Sequence, residues 1–177
     1  MKKAKTAIIV MVIGMVCAMP VIAATDGEGG EVPLVKYSNA TLGYSISYPQ
    51  TWMKDSGFAN GLKFTGGDNA MTVEIVPTAA GVDLLALAKA DAGLASYYPG
   101  AQTVGIAISK EVRGAVVRGF TAKGKSLVTG KPFDIRGDRY YLALGAGKVV
   151  IITVGGPTRL YDREGIRDIA LTFRAAK

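Results

Sequence analysis

Residues 37–52 read YSNATLGYSISYPQTW, and the fold is decided there. Tyr44, Ile46 and Tyr48 alternate with Ser45 and Ser47, the period-two pattern of a strand with one buried and one wet face. Residues 35–38 alternate in the same way, and residues 39–43, NATLG, supply turn chemistry between the two. An antiparallel strand pair is predicted. Pro49 lacks a backbone N–H and is expected to end its ladder. Trp52 follows as a core plug closing the pair or, with Tyr44, Tyr48 and Pro49, as the lining of an aromatic groove for sugar or peptide.

Downstream, residues 62–64 and 71–76 predict a second strand pair around Gly66-Gly67-Asp68-Asn69, a strong turn signal. The period then changes. Asp83 can cap a helix through LLALAKADAGLASYY, with Leu84, Leu87, Leu94 and Tyr98 on roughly one side and Pro99-Gly100 as its stop. Asp91 is the discordant residue near that stripe. Strands return at 103–109, 111–122, 132–136, 138–144 and 148–154, the last apolar on both faces as a covered central strand is. Asp162 begins a closing helix in which Ile166, Ile169, Ala170 and Phe173 form an i, i+3, i+4, i+7 stripe, with Arg163 and Arg167 on the wet face. This order predicts an α+β domain, an antiparallel β-sheet flanked by helices.

Upstream, Lys2, Lys3 and Lys5 precede an apolar stretch, and Val21-Ile22-Ala23-Ala24 offers small residues to a signal peptidase. Residues 1–24 are expected to be a signal peptide cleaved near Ala23/Ala24, leaving the protein periplasmic or extracellular. A retained anchor is the rival reading, but the 18 uncharged residues 7–24 fall short of the roughly 20 a span needs. Val16 before Cys17 argues against lipidation. Residues 25–32 form a polar, glycine-rich leader and 33–177 a single domain. The single cysteine leaves with the signal, so packing rather than disulfides must hold the domain.

Charge is uneven. Residues 25–109 carry four Lys/Arg against eight Asp/Glu, whereas residues 110–177 carry fourteen against six. The basic half suits anionic lipid, cell-wall polymer or an acidic protein face, and it is equally the composition of an ordinary solvated surface. An exported domain rarely meets nucleic acid, which is not expected as a partner.

The residues quoted above resemble the PsbP-like family, named for an extrinsic subunit of the photosynthetic oxygen-evolving complex. The resemblance is carried by Tyr37-Ser38-Asn39, Gly43-Tyr44-Ser45-Ile46-Ser47-Tyr48-Pro49 and Trp52, by Phe64 and the Val73-Glu74-Ile75-Val76-Pro77 strand, and by the helix ending at residues 169–173. It spans residues 33–175. It implies a sheet between helical layers, used for binding and assembly rather than chemistry, with bacterial relatives of unknown role. It also favours the plug reading of Trp52. Metal-binding histidines of photosynthetic members have no counterpart, because the chain contains no histidine.

That absence also removes the commonest general base, and with it Ser-His-Asp and Cys-His devices. No cofactor or metal is expected. Gly145-Ala146-Gly147-Lys148 mimics the end of a phosphate loop, but Leu142 and Val149 occupy positions the motif reserves for Gly and Ser/Thr, so a hairpin turn is the better reading. Asp134 and Asp138 would form an acid–base pair if they met across a turn at Gly137. Asp162, Glu164 and Asp168 suit helix electrostatics better than calcium. Ser109-Lys110 and Ser126 near Lys125 lack the Ser-x-x-Lys spacing. Asn39-Ala40-Thr41 is a glycosylation acceptor and also an ordinary turn.

Lys123, Lys125, Lys131, Arg136 and Arg139, with Tyr140 and Tyr141 beside them, are the candidate partner-binding residues. A local excess of positive charge beside tyrosines suits an interface. The expected function is an exported, non-catalytic accessory protein bound to a protein or anionic component of an envelope assembly. The alternatives are a small-ligand or lipid module with a pocket between sheet and helix and, least favoured, a carboxylate hydrolase.

Overall fold

The computed structural model describes residues 33–58, 61–145, 147–161 and 165–175. The signal and leader read at 1–32, and the helix start read at Asp162, lie outside these residues. Contacts gather residues 32–177 into one compact unit.

The chain builds β1 (Leu34–Asn39), β2 (Tyr44–Pro49), β3 (Met53–Asp55), β4 (Gly61–Gly66) and β5 (Asn69–Pro77), then helices α1 (Leu84–Ala90) and α2 (Leu94–Tyr97). Strands β6 (Gln102–Ile108), β7 (Val116–Lys125), β8 (Pro132–Gly145) and β9 (Lys148–Pro157) follow, and α3 (Thr158–Tyr161), α4 (Ile166–Leu171) and β10 (Arg174–Ala175) close it. The fold class is α+β, as the element order predicts. The strands divide into two antiparallel sheets rather than one, a three-stranded β1-β2-β10 sheet and a seven-stranded β3-β4-β5-β9-β8-β7-β6 sheet.

Strand parity sorts the residues into layers. Val150, Ile152 and Val154 of central β9 join Phe64, Met71 and Val73 on one face, where they meet Tyr44 and Ile46 of the small sheet, Tyr161 of α3, Ile166, Ile169 and Ala170 of α4, and Phe173 just beyond that helix. On the other face Val149 and Ile151 meet Val116, Tyr141 and Ala88 under α1. Trp52 is buried in the first core and lies against Gly66, where a Cβ would come within 2.1 Å of its ring. It is a plug, and Pro49 forms the last rung of β2 opposite Leu34.

Three local expectations are corrected. The predicted helix breaks after Ala90, because the Asp91 carboxylate accepts from Gly93 N at 2.7 Å and takes the chain out of helical geometry. The strand expected at 111–122 begins at Val116, since Ser109 Oγ accepts from Val112 N at 3.0 Å and turns the chain. The third correction matters most for the site. Residues 132–145 form one strand, and Gly137 is no turn. A Cβ there would lie 2.3 Å from Phe120 and 2.5 Å from the Val154 carbonyl, so glycine serves close packing in mid-strand.

Candidate partner-binding surface

The β7–β8 hairpin pairs Lys123 with Asp134, Gly124 with Phe133 and Lys125 with Pro132, and its turn carries Lys131. Lys123, Lys125, Lys131 and Arg136 are exposed. Lys123 forms an ion pair with Asp134, and the Arg136 guanidinium lies 5.7 Å from the Tyr161 ring centroid. Four of the seven residues expected at the surface are there.

Arg139, Tyr140 and Tyr141 are not. Arg139 is 2 % exposed and both tyrosines are buried. In one continuous strand Arg136 and Arg139, three apart, must face opposite ways. Tyr140 enters the core shared with the small sheet, while Arg139 and Tyr141 point under α1 and α2. Reading Gly137 as a turn hid that parity. Two residues were missed altogether: Leu127 and Val128, at the hairpin apex, are 86 % and 78 % exposed. The detectable signal was an apolar pair inside a turn flanked by lysines.

Arg139 organises the α1–α2 side. Its Nε donates to Asp91 Oδ2 at 2.6 Å, and one terminal nitrogen donates to Glu74 Oε2 at 3.1 Å and also to Thr153 Oγ1. Tyr141 donates to the same Asp91 oxygen at 2.8 Å, and Tyr97 donates to Glu74 Oε1 at 2.7 Å. Burial pushes the Asp91 carboxyl up, but Arg139, Tyr141 and the Gly93 N–H outweigh it and hold the group below its ordinary value. Burial, with the hydrogen bond to Asp91, pushes Tyr141 up to about 12. Arg118 donates to the carbonyls of Asp91 at 2.7 Å and Ala88 at 3.3 Å, capping the end of α1. The network fastens the broken helix to the sheet.

On the opposite face Asp138 accepts from Tyr161 at 3.0 Å and lies 3.5 Å from Arg167 Nε, and Arg167 also pairs with Glu111 at 2.7 Å. Burial is the largest influence on Asp138 and leaves its carboxyl above its ordinary value despite Tyr161 and Arg167. Asp134 and Asp138 share a face four residues apart in an extended strand, hence about 13 Å apart. That exceeds the roughly 5–9.5 Å of paired glycosidase carboxylates. Ser109 and Ser126 spend their hydroxyls on turn N–H groups, and Asn39 accepts from Leu42 N at 2.9 Å in its turn. Gly145 pairs with Lys148 across the β8–β9 hairpin.

A cavity of about 110 Å³ between sheet and α2 is lined by Lys63, Ala70, Thr72, Tyr97, Tyr98 and Thr153, with the buried Thr72 hydroxyl lacking a partner among the described residues. It is smaller than the roughly 300–1,000 Å³ of small-molecule sites.

No family model and no curated protein matches the chain. Solved structures do. Cyanobacterial PsbP (CyanoP) from Synechocystis sp. PCC 6803 superposes with a TM-score of 0.56 at 17% identity, over 86% of this chain and 98% of that one. The fold is PsbP-like. The Saccharomyces cerevisiae Ran-binding protein Mog1p superposes nearly as well, with a TM-score of 0.55 at 9% identity, over 82% of this chain and 97% of that one. A PsbP-like architecture is therefore shared by proteins of different description, and function must be argued from this chain's own surface.

Proposed function

We propose that this chain is an exported, non-catalytic accessory protein that binds an anionic partner, protein or envelope component, through the β7–β8 hairpin. The observation that carries the reading is the exposed set Lys123, Lys125, Lys131 and Arg136 on a paired two-stranded arm. The carboxylates offered as a catalytic pair are held apart by the strand, which weighs against the hydrolase. The cavity beneath α2 is small, and the larger recess of about 340 Å³ lined by Val104, Gly119, Arg136, Asp138 and Arg167 is open to solvent rather than enclosed, which weighs against the small-ligand module. One structural neighbour is a Ran-binding protein, which supports binding as a use of this fold.

The test is photocrosslinking in the native envelope from a reactive group placed at position 125, with and without Lys123→Gln and Lys131→Gln. Capture that weakens at low salt in the neutralised protein is expected. Recovery of the free monomer alone, or capture indifferent to both changes, would remove the hairpin from the contact surface.

A further inference from the structure

The hairpin apex is apolar. Leu127 and Val128 are adjacent and exposed, and every residue from Leu127 to Pro132 stands clear of the core. An exposed apolar pair in a turn is ordinarily an unfavourable arrangement, yet this turn is closely hydrogen-bonded. Ser126 N donates to Lys131 O at 2.9 Å and Gly130 N to Ser126 O at 2.9 Å. Val128 N and Thr129 N both donate to Ser126 Oγ, at 3.2 and 3.1 Å. Leu127 N donates to Asp68 Oδ1 at 2.9 Å, and Lys131 N to Thr129 Oγ1 at 3.4 Å. Six consecutive backbone N–H groups, Ser126 to Lys131, are thus satisfied from within the protein.

That condition distinguishes possible occupants. Hydrocarbon cannot hydrogen-bond a backbone donor, so a loop entering it must bring its own acceptors. A protein partner could supply acceptors, and would need roughly 800 Å² of matched surface per side, far more than two side chains at the end of a narrow arm provide. Lys125 and Lys131 flank the apolar pair, and Lys123 lies two residues behind on the same strand face as Lys125. Long lysine stems can lie along the headgroup layer while their ammonium groups meet lipid phosphate. Asp134 pairs with Lys123 and the Asp68 carboxylate accepts from Leu127 N beside the apex, so three lysines against two carboxylates leave a net positive collar around the apolar tip.

We propose that the β7–β8 apex docks on an anionic bilayer, with Leu127 and Val128 entering the headgroup–acyl boundary, Lys125 and Lys131 contacting lipid phosphate, and Lys123, paired with Asp134, adding its charge behind them. This rests on the reading of the hairpin as the contact surface and names its partner. The chain from Thr25 to Lys177, which contains the compact unit and no cysteine, is the form to test.

Sedimentation is measured with vesicles of phosphatidylcholine, alone or containing phosphatidylglycerol. Binding is expected only with phosphatidylglycerol. Leu127→Ser with Val128→Ser is expected to weaken it about tenfold or more. Glutamine at Lys123, Lys125 and Lys131 together is expected to weaken it about a hundredfold at low salt. Val104→Ser with Ile108→Ser, a comparably exposed apolar pair on β6, serves as the control and leaves binding unchanged. A nitrobenzoxadiazole label on Val128→Cys shifts to the blue on binding, and the same label on Val104→Cys does not.

Binding that ignores the serine pair, or is weakened equally by the β6 pair, overturns insertion at the apex. No vesicle binding, with a protein captured by the crosslinker at position 125, overturns the lipid proposal and leaves the basic contact surface standing. Failure of both experiments overturns both.

Discussion

Asp138 and Arg139 are neighbours in sequence on opposite faces of β8, and the two faces treat charge differently. Under α1 and α2, Arg139 donates to two carboxylates and Thr153, and each carboxylate takes a further tyrosine hydroxyl. Behind α4, Asp138 has one tyrosine at 3.0 Å and a looser contact with Arg167, which is 39% exposed. Burial raises the cost of charge on both sides, but only the first side compensates for it. The difference teaches that a buried ion is decided by how many donors and acceptors converge on it, not by the presence of an opposite charge.

Breaking the more densely bonded side should have the largest effect. Arg139→Ala leaves Asp91 and Glu74 buried without their cation and is expected to cost about 3–5 kcal/mol in urea unfolding. A loss under about 1 kcal/mol would show that water replaces the guanidinium and that the network does not fasten the helices.

Asp91→Asn tests the sign on the same side. Because the folded carboxyl sits below its ordinary value of 3.8, its contribution is present above that value and is lost as pH falls through the folded one. The variant should be less stable by about 1–3 kcal/mol at pH 7, with the gap to the parent closing in acid. A gap independent of pH would assign the effect to the helix break alone.

Asp138→Asn should be the mildest and of opposite sign. Its folded carboxyl is raised, so the contribution is fully present below the ordinary value and is lost as pH rises through the folded one. Asparagine removes that penalty, still accepts from Tyr161, and forgoes a partly exposed ion pair worth little. A gain of no more than about 1 kcal/mol is expected at neutral pH and none in acid, by thermal unfolding across pH. Destabilisation at pH 7 would mean that Arg167 binds Asp138 more firmly than their 3.5 Å separation indicates.

Much of the fold was legible because periodicity and burial agree. Tyr44 and Ile46 are buried between half-exposed serines, Val149 to Val154 are buried on both faces, and the Ile166, Ile169, Ala170 and Phe173 stripe is buried as spaced. The division into two sheets was not legible, since alternation specifies which face is wet and not which strand lies alongside. The site was half legible. Lysines at strand ends advertise exposure, whereas Arg139 becomes a core residue only through Asp91 and Glu74, 48 and 65 positions away. Three signs pointed to it: an aspartate in a leucine–alanine helix, a glutamate in an apolar strand, and unbroken alternation through Gly137.

The unbroken course of β8 from hairpin to helix joint imposes an arithmetic on this chain. Adding or removing one residue between Lys131 and Arg139 would exchange the two faces, carrying a guanidinium into the aromatic core and a tyrosine ring against the carboxylates. Two residues inserted in each arm would keep every side chain of the sheet on its own face, at the cost of the Leu127–Asp68 hydrogen bond. Even steps in the paired arms therefore keep both faces as they are, which separates the hairpin's length from the architecture that bears it.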